Sequence, residues 1–464
     1  MIDNKKPWDK GTLCVSSNGR YLANGETPFF WLGDTAWLMF SHLTEEEAWG
    51  YLRNRKEKGY NVIQTTLIHE WPQKNIDGSN ALVNEDFAVC DLEGNYWKRT
   101  EAMVDMAEEL GLYMALLPAW GGNVARGYLN LENADAYLDF LIDRFGSRPN
   151  IIWLVGGDVK GEAAPEVFCR IGSRLKQGCK GQLVAFHPFG RTSSSIWFHK
   201  EEWLDFNMFQ SGHRRYDQLV MQSWDDNGKN PDNYGEDNWK YVKRDHSLIP
   251  IKPTIDGEPS YEQVLQGLHD KTQGYWQSWD VRRYAYWSVL EGAFGHTYGD
   301  NSIMQFYTKK DGEGAFGVKQ EWKEAIHNAG SSQMKHLKNL MEQVDYQNGV
   351  PASHLLVSGQ GEKYERVSVF AGKDFIICYS YLGKPFTLDL SAYPNNLDTY
   401  WMDPETGVYS FAGQLMNQKM NQKMNQKMNQ KMNQKQMEFH PPFKGEGHGD
   451  WVLVLTDPES YDIV

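Results

Sequence analysis

The sequence predicts an α/β protein, a (β/α)8 TIM barrel over residues 1–345 followed by a smaller all-β sandwich over residues 346–464. Three observations carry this. From about residue 28, short apolar runs alternate with amphipathic stretches, the pattern of strand–helix units. There are eight such runs, which points to a closed parallel barrel more than to an open doubly wound sheet. After residue 346 the pattern changes to alternating stretches broken by Gly, Pro and Asp turns.

The eight expected strands lie at 29–33, 62–67, 113–118, 151–155, 183–187, 207–210, 253–255 and 283–290. A helix is expected over 44–58, opened by Thr44 with Glu47 three residues on, a capping box. Another is expected over 100–110, closed by Gly111 as a C-terminal cap. No Gly-x-Gly-x-x-Gly follows the first strand, which counts against a dinucleotide fold. The second domain shows alternating stretches at 354–357, 366–370, 375–381, 386–390, 398–402 and 451–455. Inside it, Met416-Asn417-Gln418-Lys419 begins five consecutive copies of one tetrapeptide running through Lys435. This reads as an expansion in a surface hairpin, since surface loops tolerate insertion at small cost; a short amphipathic helix is the alternative.

Composition narrows the function. The chain has 464 residues, 41% of them hydrophobic, enough for a large core and more than one domain. Its net charge is −14 and no basic cluster is present, so nucleic acid is not expected as a partner. Eighteen Trp and twenty-four Tyr offer faces for sugar rings, although large barrels also use Trp as filler. Five cysteines (Cys14, Cys90, Cys169, Cys179, Cys378) show neither metal nor redox spacing, and most of them read as buried free thiols. No run reaches the roughly 18 apolar residues of a membrane span. Met1-Ile2-Asp3-Asn4-Lys5-Lys6 lacks the apolar core of a signal peptide. The protein is therefore expected to be cytoplasmic, or periplasmic or extracellular if a leader has been removed. No cofactor is called for.

In such barrels the chemistry lies at the C-terminal ends of the strands, and nearly every expected end carries a carboxylate, His or Trp. Asp158 follows the fourth strand and Glu258 the seventh, facing each other across the mouth. Glycoside hydrolysis needs this pairing, with one carboxyl kept protonated and one ionised on the other side of the scissile bond. Asp158 and Glu258 are thus the catalytic candidates, with Glu291 as replacement and Glu70 as a further rival. Candidate substrate-binding residues are Asp34, His69, Trp71, Trp120, His187, Gln210, His213, Glu291, His296 and Tyr298. Asp34 either binds hydroxyls or caps the following helix. The histidines lack His-x-x-x-His or His-x-His spacing, so sugar recognition is preferred to a metal site.

At these residues the sequence resembles the apiosidase-like hydrolases, glycoside hydrolase family 140. The resemblance rests on Phe30-Trp31-Leu32-Gly33-Asp34-Thr35-Ala36-Trp37, Gly156-Gly157-Asp158, Thr254-Ile255-Asp256-Gly257-Glu258-Pro259 and Gly295-His296-Thr297-Tyr298-Gly299. The tail, with Trp401-Met402-Asp403-Pro404 and Gly449-Asp450-Trp451, is similar to the β-sandwich that accompanies such barrels. That module is labelled collagen-binding, a name that by itself says nothing of collagen. The resemblance implies a retaining enzyme with Asp158 as acid/base and Glu258 as nucleophile. It also implies a pectic substrate, the apiosyl–galacturonic acid linkage of rhamnogalacturonan II. Related barrels often carry Glu at the first position; the two glycines before Asp158 would let a shorter side chain approach. An acidic enzyme meeting polyanionic pectin needs positive residues in its cleft, for which Arg126, Arg191, Arg214 and Arg215 are candidates. The competing expectations are a glycosidase for another linkage, a catalytically inactive glycan-binding protein, and a metal-dependent hydrolase.

Overall fold

The computed structural model describes residues 5–218, 233–393, 396–416, 436–445 and 448–461. The chain divides into two compact units, Met1–Tyr284 with Ala293–Lys335, and Ala285–Gly292 with His336–Val464. No helix among the described residues is long and apolar enough to cross a membrane.

The first unit opens with an antiparallel sheet of β1 (Leu13–Val15), β2 (Leu22–Asn24) and β3 (Thr27–Phe29) that the sequence pattern did not announce. It packs against Tyr113, where the strand Tyr113–Leu117 begins. Asn24 donates to the Tyr113 hydroxyl at 2.5 Å, and Phe29 packs edge-on against that ring.

Eight parallel strands then form a TIM-like barrel: β4 (Trp31–Thr35), β5 (Val62–Thr66), β6 (Tyr113–Leu117), β7 (Ile151–Val159), β8 (Val184–Pro188), β10 (Asn207–Gln210), β11 (Thr254–Asp256) and β12 (Gly295–Tyr298). A two-residue strand, β9 (Thr192–Ser193), pairs antiparallel with β10. β4 lies between β5 and β12, so the ends of the barrel sequence meet. At the seam between β8 and β10, Asp205 N–H donates to the Val184 carbonyl at 2.8 Å.

One expected strand is replaced. Residues 283–289 are helical, within Ser278–Val289, and the eighth strand is β12. Tyr284, Ala285, Tyr286 and Trp287 are all buried, and a short helix with little exposed surface reads like a buried strand. Elsewhere local signals match the structure. Glu47 N–H donates to Thr44 Oγ1 and Thr44 N–H to Glu47 Oε2, both at 3.2 Å, closing the capping box of Glu45–Glu57. Gly111, at φ +67°, ends the helix Tyr96–Glu109, which begins four residues before the expected start at Thr100.

The second unit holds two antiparallel sheets. One runs β13 (Val350–Pro351), β15 (Val367–Ala371), β16 (Phe375–Ser380), β21 (Trp451–Thr456), β18 (Asn396–Met402), β19 (Tyr409–Met416). The other runs β14 (Leu356–Ser358), β17 (Phe386–Asp389), β20 (Gln436–Phe439). Val369, Cys378 and Leu453 from the first share one core with Phe386, Leu388 and Phe439 from the second, making a β-sandwich. Residues 417–435, which carry all but the first residue of the tetrapeptide repeat, lie outside the described residues.

Candidate active site

Strand alternation sorts the barrel residues into two layers. Phe209 stacks on Tyr241 of the helix Asn238–His246, and Asp256 accepts from Asn238 of that helix, so these strand residues point outward. Phe209 is in register with Asp256, Asp256 with His296, and His296 with Leu32. In-register neighbours share a face, and so do residues two apart. His296, Tyr298 and Asp34 therefore lie in the layer between strands and helices.

This corrects three expected substrate ligands. Asp34 is fully buried, accepts from the Tyr51 hydroxyl at 2.5 Å and forms an ion pair with the equally buried Arg55. It neither caps a helix nor reaches the mouth. Tyr298 donates to Glu262 Oε2 at 2.6 Å behind the barrel. His296 is buried, and desolvation lowers its pKa to about 3, so the ring stays neutral. Glu291, also expected at the site, belongs to the second unit, where it pairs with Arg366 at 2.8 Å.

The mouth itself is built from strand ends that leave regular geometry. Gly156 and Gly157 take φ of +87° and +112°, and a β-bulge separates Gly156 from Val159. A Cβ on Gly156 would lie 2.6 Å from the His187 carbonyl oxygen, and one on Gly157 2.8 Å from the Trp120 ring. Only glycine fits. The bulge carries Asp158, itself at φ +48°, out of the ladder and into the cleft.

Glu258 follows β11 and is 8% exposed. His213 hydrogen-bonds its Oε1 at 3.0 Å, and His187 Nε2 stands 3.3 Å from Oε2, close but out of line for a hydrogen bond. The segment bearing His213 is held by Gly212 N–H donating to the Glu258 carbonyl at 3.1 Å. Burial works to raise the Glu258 pKa, but the two histidines outweigh it and hold the carboxyl well below the usual range. Asp158 goes the other way, lifted to about 7 by desolvation first and then by the Glu258 charge. Its surface is open to the cleft, so the desolvation is felt in full when a bound ligand displaces water. The two carboxyls are thus pushed apart, one toward the neutral acid and one toward the ion.

Around them lies a cleft of about 550 Å³, counting space open to solvent. Of the expected binding residues, Gln210 and His213 line it, together with Arg191 and Arg214; Arg126 and Arg215 do not. Arg215 pairs with Asp217 at 2.9 Å. His69, Trp120 and His187 gather beside it, with Trp120 4.7 Å from His69 and 6.2 Å from His187 between ring centroids. Trp71 stacks on Tyr128 at 3.7 Å and donates to the Glu85 carbonyl, so one of its faces is already covered. Among the described residues, His, Cys, Asp and Glu form no group of three that could hold a metal ion.

Sequence reasoning passed over Tyr261, whose buried phenol lines the cleft and is pushed up by burial and by the Glu258 charge. It also passed over Trp37, packed edge-on against Trp120 and His187. Trp37 ends the Phe30–Trp37 motif quoted above, which was its available signal, and Tyr261 carried none.

A TIM-like barrel with two carboxyls of opposed electrostatics at its mouth has the form of an enzyme that cuts glycosidic bonds, and solved proteins of that class share the whole chain. A glycoside hydrolase is 38% identical, with 100% of each chain covered and a TM-score of 0.90. A glycoside hydrolase family 5 structure from Bacteroides vulgatus is 36% identical, covering 100% of this chain and 97% of its own, with a TM-score of 0.88. No protein of curated function matches the sequence. The protein is a glycoside hydrolase. Its residues 16–348 match the profile of the apiosidase-like catalytic domain, and the chain belongs to that family. Residues 350–456 match the profile of a domain named for collagen binding in a collagenase.

Proposed function

We propose that this glycosidase cleaves apiosyl linkages in pectic, rhamnogalacturonan II-like glycans by a retaining mechanism. Asp158 serves as acid/base and Glu258 as nucleophile. The observation that carries the reading is the opposed perturbation of the pair, with Asp158 drawn toward its protonated form and Glu258 held ionised beside His187 and His213. Asp158 donates its proton to the glycosidic oxygen as that C–O bond breaks, while a Glu258 oxygen bonds to the anomeric carbon. Water then attacks the same carbon, Asp158 takes its proton, and the Glu258 ester opens with configuration retained.

The buried Arg191 and Arg214 in the cleft support an anionic sugar beside the scissile bond, despite the chain's charge of −14. A galacturonate carboxylate answers that description, and Trp120 supplies a face for a sugar ring. The test is a panel of pectic oligosaccharides, apiose-containing ones included, with products analysed by mass and by anomer in NMR. Release of apiose with retained configuration is expected, and none from Glu258→Gln. If apiosyl linkages survive while another glycoside is cut, the substrate assignment fails. Full activity in folded Glu258→Gln removes the catalytic assignment.

A further inference from the structure

We propose that Asp256 is a positioning residue for the catalytic centre, acting through Ser211 to hold the His213 segment against Glu258; this rests on the reading of Glu258 given above. Asp256 is fully buried as the last residue of β11 and faces the helix Asn238–His246, whereas Glu258 lies beyond the strand's end, where the alternation no longer holds, and turns into the cleft. It accepts from the Ser211 hydroxyl at 2.5 Å and from Asn238 Nδ2 at 3.0 Å, with a longer contact from Ser211 N–H at 3.4 Å. The backbone N–H of Glu258 adds a favourable interaction with the same carboxylate. Asn238 is fixed in turn by donating to the Tyr284 carbonyl at 2.7 Å. The titratable group facing Asp256 from the packed helix Asn238–His246 is Tyr241.

The position of these bonds gives them their role. Ser211 is the first residue after β10, and His213 follows two residues later with its ring on Glu258 Oε1. Between them, Gly212 N–H reaches the Glu258 carbonyl. A Cβ on Gly212 would lie 2.6 Å from the Pro259 backbone, so the two segments pass at the closest approach a chain allows. Besides the His213–Glu258 contact itself, the segments are tied by the Gly212 main-chain bond and by the bonds from Ser211 to Asp256. A buried carboxylate carries a desolvation cost that an apolar residue would avoid, so its presence here needs a gain. That gain is the register of two loops, one bearing the nucleophile and the other the imidazole that keeps it ionised. A shift of about 1 Å at such a site costs on the order of 100-fold in rate.

The experiment uses the full chain and three variants, Ser211→Ala, Ser211→Thr and Asp256→Asn. In ligand-free protein, the Glu258 carboxyl is titrated by 13C NMR, a measurement that needs no substrate. The expected result is a rise in the Glu258 pKa in Ser211→Ala and Asp256→Asn, with a return toward wild type in Ser211→Thr. On the best substrate found for the wild type, kcat falls by about 10- to 100-fold in the first two with KM within threefold. If Asp256→Asn does not fold, Ser211→Ala alone decides. A Glu258 titration and kcat in folded Ser211→Ala within twofold of wild type overturn the proposal. Loss of melting temperature with both readouts unmoved does the same, since that marks a purely structural bond. Failure of the underlying reading looks different, because Glu258→Gln would then stay active whatever Ser211→Ala does to the titration.

Discussion

On the proposed assignment, the pH dependence of the reaction follows from the two carboxyls. At its ordinary value of 3.8, Asp158 would be protonated in about one molecule in 1,600 at pH 7; raised to about 7, it is protonated in half. The environment therefore gives a gain on the order of 10²- to 10³-fold in the population able to donate a proton. The signs are opposite for the two groups. Asp158 has a raised pKa, so its proton is lost, and activity with it, as pH climbs through 7. Glu258 has a depressed pKa, so it stays ionised until pH falls well below the usual carboxylate range. Between pH 6 and pH 8 the protonated fraction of Asp158 in the ligand-bound enzyme drops from about nine-tenths to about one-tenth, a roughly tenfold fall in kcat. Initial rates across pH 3–10 on a substrate with a sugar leaving group measure this. With an activated leaving group, Asp158→Asn should keep measurable turnover and lose the basic limb. A basic limb centred below about pH 5 or above about pH 9 would falsify the electrostatic assignment.

Two further predictions separate fold from site. Asp34→Ala leaves Arg55 buried without its carboxylate, which costs about 3–5 kcal/mol in chemical denaturation while kcat of the folded fraction stays within twofold. Lost activity at unchanged stability would instead return Asp34 to the mouth. Glu291→Gln weakens its charged hydrogen bond to Arg366 and is expected to lower stability by about 1.5–3 kcal/mol with no change in kcat or KM. A fall in kcat there would restore Glu291 as a catalytic candidate.

Much of the barrel was legible because the signals were local. Seven of the eight expected runs became strands, with no end moved by more than four residues, and the capping box at Thr44 formed as written. The miss at 283–290 has the same origin as the successes. A helix buried on most sides has no polar stripe, so periodicity loses its sign. The three-stranded sheet β1–β3 escaped because strands of three residues are too short to show alternation.

What the sequence determined by itself was the supply of chemistry at the strand ends. Asp158 behind two glycines and Glu258 after an Asp-Gly pair are readable in one dimension, because the residues at and just past the C-terminal strand ends are the ones that can reach a barrel's mouth. Tertiary structure alone decided which neighbours share that mouth. Asp34, His296 and Tyr298 stand one residue out of phase with the cleft, and a period of two sends such residues to the helix-facing layer. The sequence held no record of that phase, which is fixed by register between strands far apart in the chain. The pairing of His187 and His213 with Glu258, and hence its charge, depends on the same register.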